Sequence, residues 1–389
     1  MGYFRFLTAG ESHGKGLMAI VEGMVANLAV EERCINKELK RRQQGYGRGA
    51  RMKIEDDKVE IMAGVRHGLT TGSPIALFIT NRDWANWQQE LSVSPVQKEI
   101  EPVTCPRPGH ADLAGVTKYG LQDIRPVIER ASARETAARV AVGAIARRFL
   151  EEFGVAIHSY TVAVGGHRWE RPKASSINWA EVEDSPVRCA NAKMEKAMVT
   201  AIDEAKGEGD TLGGVFEVIA TGVPIGLGSH VSWERRLDGG IARAIMSINA
   251  VKGVEIGAGF GSAGIRGSQA HDVIEPNRRS KGKGLPWRHA TNHAGGIEGG
   301  MSNGEDIVVR AAVKPVATLT SPLPSVDLRT NRPAKAHYER SDICIVPAAG
   351  VIGEAMLAIV LAHACLEKFG GDNLKETLAN YREYLRNIA

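Results

Sequence analysis

The sequence predicts a mixed fold in which antiparallel strands and long, buried helices share one core. Three observations carry this. Strand-like and helix-like segments follow one another without the βαβ rhythm of a parallel sheet. Several β-branched segments space their apolar residues at roughly every second position, the period of a strand with one buried face. Two long segments unusually rich in Ala and Val end on glycine, as helices buried on more than one face do.

Taken in order, the strands are 155–164 (VAIHSYTVAV), 215–223 (VFEVIATGV) and 307–313 (IVVRAAV). One helix is expected over 133–153, before Gly154, and the other over 353–369, before Gly370. Residues 146–154 (ARRFLEEFG) line up with 362–370 (AHACLEKFG). Each helix follows an Arg–Ser–acidic cluster: Arg130 and Ser132 with Glu135, and Arg340, Ser341 and Asp342. The pair fits a duplicated unit with a pseudo-two-fold relation, or chance similarity between two Ala-rich helices capped by glycine. Residues 166–190 read as an irregular surface excursion, and 266–288, with its basic stretch 278–284, as a mobile loop.

Composition narrows the function. Lys and Arg number 49 against 45 Asp and Glu, a formal net charge of +4 over 389 residues. That is too even for a nucleic-acid backbone, and aromatics at 5% are too sparse for a base-stacking surface. A hydrophobic fraction of 43% supports a large core, in one domain or two. The N-terminus, MGYFRF, has no apolar signal stretch, and Phe6 breaks the myristoylation pattern. No apolar run looks long enough to span a bilayer. Cys34, Cys105, Cys189, Cys344 and Cys365 form no C-x-x-C, and core packing is expected of each. A soluble cytoplasmic protein is expected, with neither a membrane nor a nucleic-acid partner.

The positive charge is local. Arg42, Arg48 and Arg51 lie in RQQGYGRGAR, where Gly45, Gly47 and Gly49 oppose a helix. Such a segment is a solvated basic loop, an RNA-binding element, or a set of guanidinium forks closing on a small polyanion. His13, in GESHG, and His110, in PRPGHAD beside Arg107, sit on glycine-bearing loops. Histidine exchanges protons near neutral pH, and each is either a proton-transfer group or an ordinary loop histidine. Ser132 and Glu135 form a capping box at the start of the first helix, whose N-terminus also suits anions and holds Arg134. The glycine-rich run 292–304 offers backbone donors to a planar or phosphorylated ligand, and Lys314 and Thr318 leave a strand in a form suited to phosphate. His289 and His293 stand four apart, but the glycines oppose a helix there, and no metal is expected.

Together these motifs resemble chorismate synthase. The matching pieces run in order: GESHG at 10–14, RRQQGYGRGARMKIE at 41–55, GVRHG at 64–68, RPGHAD at 107–112, ERASARET at 129–136, GDTLGG at 209–214, SINAVKGVE at 247–255, GGIEGGMSNG at 295–304, KPVAT at 314–318 and RSD at 340–342. Ala131 stands where many members have a first serine. The resemblance implies one catalytic domain over 1–389, an α+β fold with helices packed between antiparallel sheets, and a homotetramer. It implies a reduced-FMN-dependent 1,4-anti elimination of phosphate from 5-enolpyruvylshikimate 3-phosphate, giving chorismate.

By the same resemblance Arg42, Arg48, Arg51, Arg107, Arg134 and Arg340 bind substrate. Arg130, Ser132, Asn249, Ala250, Gly299, Lys314, Pro315, Val316, Ala317, Thr318 and Arg340 contact the flavin. His13 protonates or stabilises the departing phosphate, His110 faces the N1/O2 edge of the flavin, and Asp342 handles the N5 proton. NADPH enters only indirectly, through a separate flavin reductase, because no dinucleotide fingerprint is present. An RNA-binding protein would explain the arginine loop but not the paired Gly-His loops. A flavin-free phosphate lyase would leave the long glycine run and KPVAT unexplained.

Overall fold

In the first strands apolar alternation faces one side. Arg5–Gly10 (β1) pairs antiparallel with Gly16–Glu22 (β2), and Leu17, Ala19 and Val21 point into the core. Val59–Ala63 (β3) and Ile75–Thr80 (β4) complete a four-stranded antiparallel sheet in the order β1-β2-β4-β3. A second antiparallel sheet contains Ala156–Val164 (β5), Gly214–Thr221 (β6), Val251–Ile256 (β7) and Ile307–Val313 (β8). Its order is β5-β6-β8-β7, with the short strand His167–Arg168 on the outer edge of β5. These coordinates are a computed structural model that describes residues 4–49, 55–97, 99–169, 176–277 and 285–388.

Four helices, Glu32–Gln43 (α1), Thr136–Glu151 (α2), Leu237–Met246 (α3) and Val346–Phe369 (α4), build the layer between the sheets. α2 packs on β2 and β4, α4 packs on β5 and β6, and the two helices pack on each other. Glycine permits these approaches. A Cβ on Gly143 would lie 2.4 Å from that of Ala355, and one on Gly353 would lie 2.7 Å from the Phe216 ring. Counting only the main strands of the two sheets and the four layer helices, the first half reads β1-β2-α1-β3-β4-α2 and the second β5-β6-α3-β7-β8-α4, with further helices such as Ala192–Glu208 and Leu374–Ile388 outside this pattern. Both sheets then have the same strand order. Phe153 and Phe369, equivalent in the alignment of the two helix ends, stack at 5.9 Å.

The three predicted strands form within one or two residues of their expected bounds and pair antiparallel. The first long helix opens with a 3-10 turn, Ala133–Glu135. The second starts at Val346 instead of 353, because Pro347 fits the first turn of a helix. At 24 residues, with an 18-residue window of mean hydropathy 1.9, α4 overturns the expectation that no apolar segment has membrane-spanning length. Its length serves the core, since it is covered by α2, α3 and the second sheet.

Residues 166–190 are not a bare excursion. Trp179–Asp184 is helical, and Ile177 and Val182 pack with Tyr160 and Val162. Within 266–288, Gly267–Ala270 forms a helical turn and Ile274–Pro276 pairs with Trp287–His289; the basic stretch 278–284 lies outside the described residues. Cys189, Cys344 and Cys365 are buried, but Cys34 is exposed and Cys105 half-buried. Cys34 occupies the outer side of α1, while its neighbour Ile35 takes the core side.

Candidate active site

The turn between β1 and β2 carries the first histidine. Gly10 adopts φ +107 and lies against the Gly16 carbonyl, an approach a side chain would block. Beyond it the Ser12 amide donates to the Glu129 carbonyl at 3.2 Å, and the Ser12 and Ser132 hydroxyls lie 3.0 Å apart. His13 is held on three sides. Its amide donates to Glu129 Oε2 at 2.6 Å, its Nδ1 lies 2.7 Å from Glu129 Oε1, and its ring stacks on Trp87 at 4.3 Å. Nε2 lies 4.0 Å from Asp83.

Asn81 pins this turn from below, donating to the carbonyls of Glu11 at 2.9 Å and Gly14 at 2.8 Å. Arg134 in turn donates to Asn81 Oδ1 at 2.9 Å and to Asp57 at 2.5 Å. Arg42 shares Asp57 at 3.2 Å and donates to Thr136 at 3.0 Å. Arg42 lies in the last turn of α1 instead of in a loop, and it is only 3% exposed. Burial lowers its pKa to about 10, with Arg134 and Arg48 adding to the effect against Asp57 and Asp342.

The capping box closes only in part. Ser132 accepts from the Arg134 amide at 3.3 Å, but Glu135 turns away to Thr8 and Arg139, both at 2.8 Å. An arginine one helical turn along offers the carboxylate a charge-assisted bond, which a cap amide cannot match.

The second histidine loop is tied to residues 314–318. Arg107 donates to Asp112 at 2.8 Å and to the Thr318 hydroxyl at 3.1 Å, and it lies 3.5 Å from Glu339. His110 Nδ1 lies 2.5 Å from Asp112 Oδ1 and 3.1 Å from Arg107. Burial would raise the Asp112 pKa, but hydrogen bonds from His110 and Arg107 prevail and hold it well below the carboxylate range. Asp112 is therefore ionised and accepts, so His110 carries its proton on Nδ1 toward it. Lys314 donates from its ammonium to the Gly109 carbonyl and from its amide to the Ala250 carbonyl, the latter at 2.9 Å. Burial and Lys252 lower its pKa. Thr211, in the GDTLGG run, donates to the Val316 carbonyl at 2.8 Å.

A third group meets the first two. Asp342 pairs with Arg48 at 3.2 Å and accepts from the Gly49 amide at 2.6 Å. Asn249 donates to the Ala131 carbonyl at 2.9 Å, while its buried Oδ1 has no partner, and Ala250 adopts φ +67. Arg130 donates to the carbonyls of Thr8 at 3.0 Å and Gly10 at 3.2 Å. Arg340 is exposed, and Arg51 lies outside the described residues. One rim thus gathers His13, Ser132, Arg130, Asn249, Ala250, Lys314, Thr318, Arg107 and His110.

Gly299 stands apart. It sits in the hairpin Ile297–Ser302 at the N-terminal end of α3, where Gly300 accepts from Leu237, whereas Asn249 follows the other end. Ten helical residues separate the two by about 15 Å.

Sequence reasoning gave no role to Glu129, Asn81, Asp57, Asp83, Trp87 or Glu339. Glu129 opens the ERASARET motif and Glu339 precedes RSD, so position beside a motif was the available signal. Burial acts to raise the Glu339 pKa, but His337, Arg107 and His13 lower it overall, so this carboxylate lies in the field of both histidine loops.

The chain is similar to known proteins over nearly its whole length. The family described as chorismate synthase matches residues 4–366. The chorismate synthase of Moorella thermoacetica is 56% identical, covering 99% of this chain and 100% of its own length. That of Aquifex aeolicus is 54% identical over 99% of this chain and 98% of its own. A solved structure titled "Crystal Structure of Chorismate Synthase" superposes with a TM-score of 0.79 at 46% identity, covering 99% of this chain and 98% of that one.

Proposed function

The chain belongs to the chorismate synthase family, and from that premise we propose how its residues divide the work. The enzyme is a lyase that removes phosphate from 5-enolpyruvylshikimate 3-phosphate and yields chorismate, the last common step toward the aromatic amino acids. Arg48 and Arg340, with Arg51, meet the carboxylates and phosphate of the substrate. Arg42, Arg107 and Arg134 supply a preorganised positive field whose geometry Asp57 and Asp112 fix. His13 delivers the proton to the departing phosphate. His110, steadied through Nδ1, offers its other nitrogen to the cofactor, and Asp342 exchanges the proton at the flavin N5.

Reduced FMN fits the rim. Asn249 Oδ1 is a buried acceptor without a partner, and a reduced flavin ring carries N–H donors. Arg130, Ser132, Asn249, Ala250, Lys314 to Thr318 and Arg340 would hold it, with cations for its phosphate and its anionic ring. When bound, reduced FMN supplies the electron-rich ring at which the substrate's C6 hydrogen is removed. Gly299 would join this set across the length of α3, or from a second copy of the chain in a homotetramer. The shared strand order of the two sheets and the stacked Phe153 and Phe369 support an internal repeat about a pseudo-two-fold axis. We read the protein as cytoplasmic, without a metal, membrane or nucleic-acid partner.

The observation that carries this reading is the convergence on one rim of both histidine loops with an orphaned flavin-type acceptor. The reductant comes from outside, because no strand–GxGxxG–helix unit of the dinucleotide-binding βαβ kind stands among the described residues. An anaerobic assay tests this. Chorismate should form with chemically reduced FMN and not with oxidised FMN plus NADPH. Sustained product from NADPH alone, in protein free of reductase, contradicts it.

A further inference from the structure

We infer that Glu129 is the positioning residue that fixes the working nitrogen of His13. The inference rests on the reading of His13 as the proton donor and assigns the geometry behind it. Glu129 is 2% exposed and stands on the helix Arg125–Ala131, which leads into the Ser132 cap. Its two oxygens take two donors from one residue: the His13 amide at 2.6 Å and His13 Nδ1 at 2.7 Å. An imidazole is the stronger base by about two pH units in ordinary peptides, so the shared proton belongs to Nδ1 and the carboxylate accepts. The other flank of the ring is closed by Trp87, stacked at 4.3 Å. Rotation about the side chain is thereby blocked, and Nε2 is left as the nitrogen that exchanges a proton.

The remaining acidic groups near His13 do not compete for Nδ1. Asp83 faces Nε2 at 4.0 Å. Glu11 is pushed up in pKa by burial and then by Glu129, so it responds to the Glu129 charge. Glu339 senses His13 only through the field. The arrangement is a carboxylate–imidazole pair of the kind that orients proton-transfer histidines in other enzymes. Here the carboxylate also binds the backbone amide of the same histidine. Ring orientation and loop position are therefore set by one side chain.

That double bond makes Glu129→Gln an informative variant. Glutamine keeps the shape but has a single acceptor. The His13 amide can only donate, so it takes that oxygen, and the carboxamide NH₂ then meets Nδ1. Nδ1 must become an acceptor, which moves the neutral ring's proton to Nε2 and opposes the imidazolium. Turnover with reduced FMN should fall by about tenfold or more, bounded by the 10²–10⁴ typical of a general acid. KM and FMN affinity should stay within about twofold, since Glu129 is buried and both its oxygens are bonded to His13.

A double-mutant cycle with His13→Ala separates positioning from general structural support. Glu129→Gln should cause no further loss of turnover once His13 is gone. Equal losses in both backgrounds would overturn the inference. Neutron diffraction from perdeuterated wild-type crystals supplies a second reading, valid even if the variant fails to fold. A deuteron on His13 Nδ1 supports the inference, and an unprotonated Nδ1 overturns it. Unchanged turnover in His13→Ala alone would instead remove the acid role of His13, with the Glu129 geometry still decided by the neutron map.

Discussion

His13 has only 12% of its side chain exposed, and Glu129 and Trp87 account for its confinement. A histidine confined in this way loses little rotational freedom when substrate arrives. His13→Ala should therefore keep substrate and FMN affinity but lose about 10²–10⁴ in turnover, measured anaerobically with reduced FMN. Unaltered turnover would remove this residue from the chemistry. The arginines behave differently from one another. Arg42 and Arg134 are 3% and 4% exposed and share Asp57, so they organise the site from within. Arg48, paired with Asp342, lies nearer the surface.

Between elements, a buried charge cluster joins the helical layer to the second sheet. Glu354 on α4, 1% exposed, accepts from Arg41 on α1 at 2.7 Å, from Ser159 on β5 at 2.6 Å and from Arg188 at 3.2 Å, and it pairs with Arg147 on α2. Burial opposes its charge, but Arg41, Arg147 and Arg188 hold its carboxyl well below the usual range. Such a cluster fixes the register of packed elements more than it adds net stability. Glu183 closes it from the Trp179–Asp184 helix. Burial acts to raise its pKa, but hydrogen bonds from Arg41 and Arg188 bring it down from 4.5 to about 2. A depressed carboxylate contributes stability that is full above its unfolded pKa and disappears as pH falls through its folded one. Urea unfolding should thus show wild type more stable than Glu183→Gln near neutral pH, with the gap shrinking from about pH 4.5 toward pH 2. A gap that does not change with pH would refute the linkage.

At the scale of the molecule, the outer face of the first sheet is apolar. Leu7 is 70% exposed, Met18 50%, Ile20 49% and Met62 65%, all beside Phe78. A contiguous apolar sheet face of this kind marks an association surface. Self-association through this face would fit the proposed homotetramer. Ile20→Glu places a charge on that face without touching the core. Sedimentation should report a smaller assembly for this variant, and an unchanged mass would exclude the face from the oligomer.

The sequence by itself determined three strands, two core helices and the family. Period-two apolar spacing specifies the strands at 156–164, 214–221 and 307–313, and the Ala-rich segments ending on glycine specify the two core helices, because these signals act through neighbours in the chain. Ten ordered motifs were enough to identify the family and to name His13, Arg107, His110 and Lys314 as candidates for its site. Tertiary structure alone decided which carboxylate serves which cation. Glu129 lies 116 residues from His13, and Glu354 lies 313 from Arg41, so no local pattern links them. It also decided that Arg42 is buried, that Glu135 leaves its cap for Thr8 and Arg139, and that Gly299 stands away from Asn249. The physical reason is common to all of these. Hydrogen bonds and charge pairs act over a few ångströms, and only the packing of two sheets about one helical layer brings such distant residues that close.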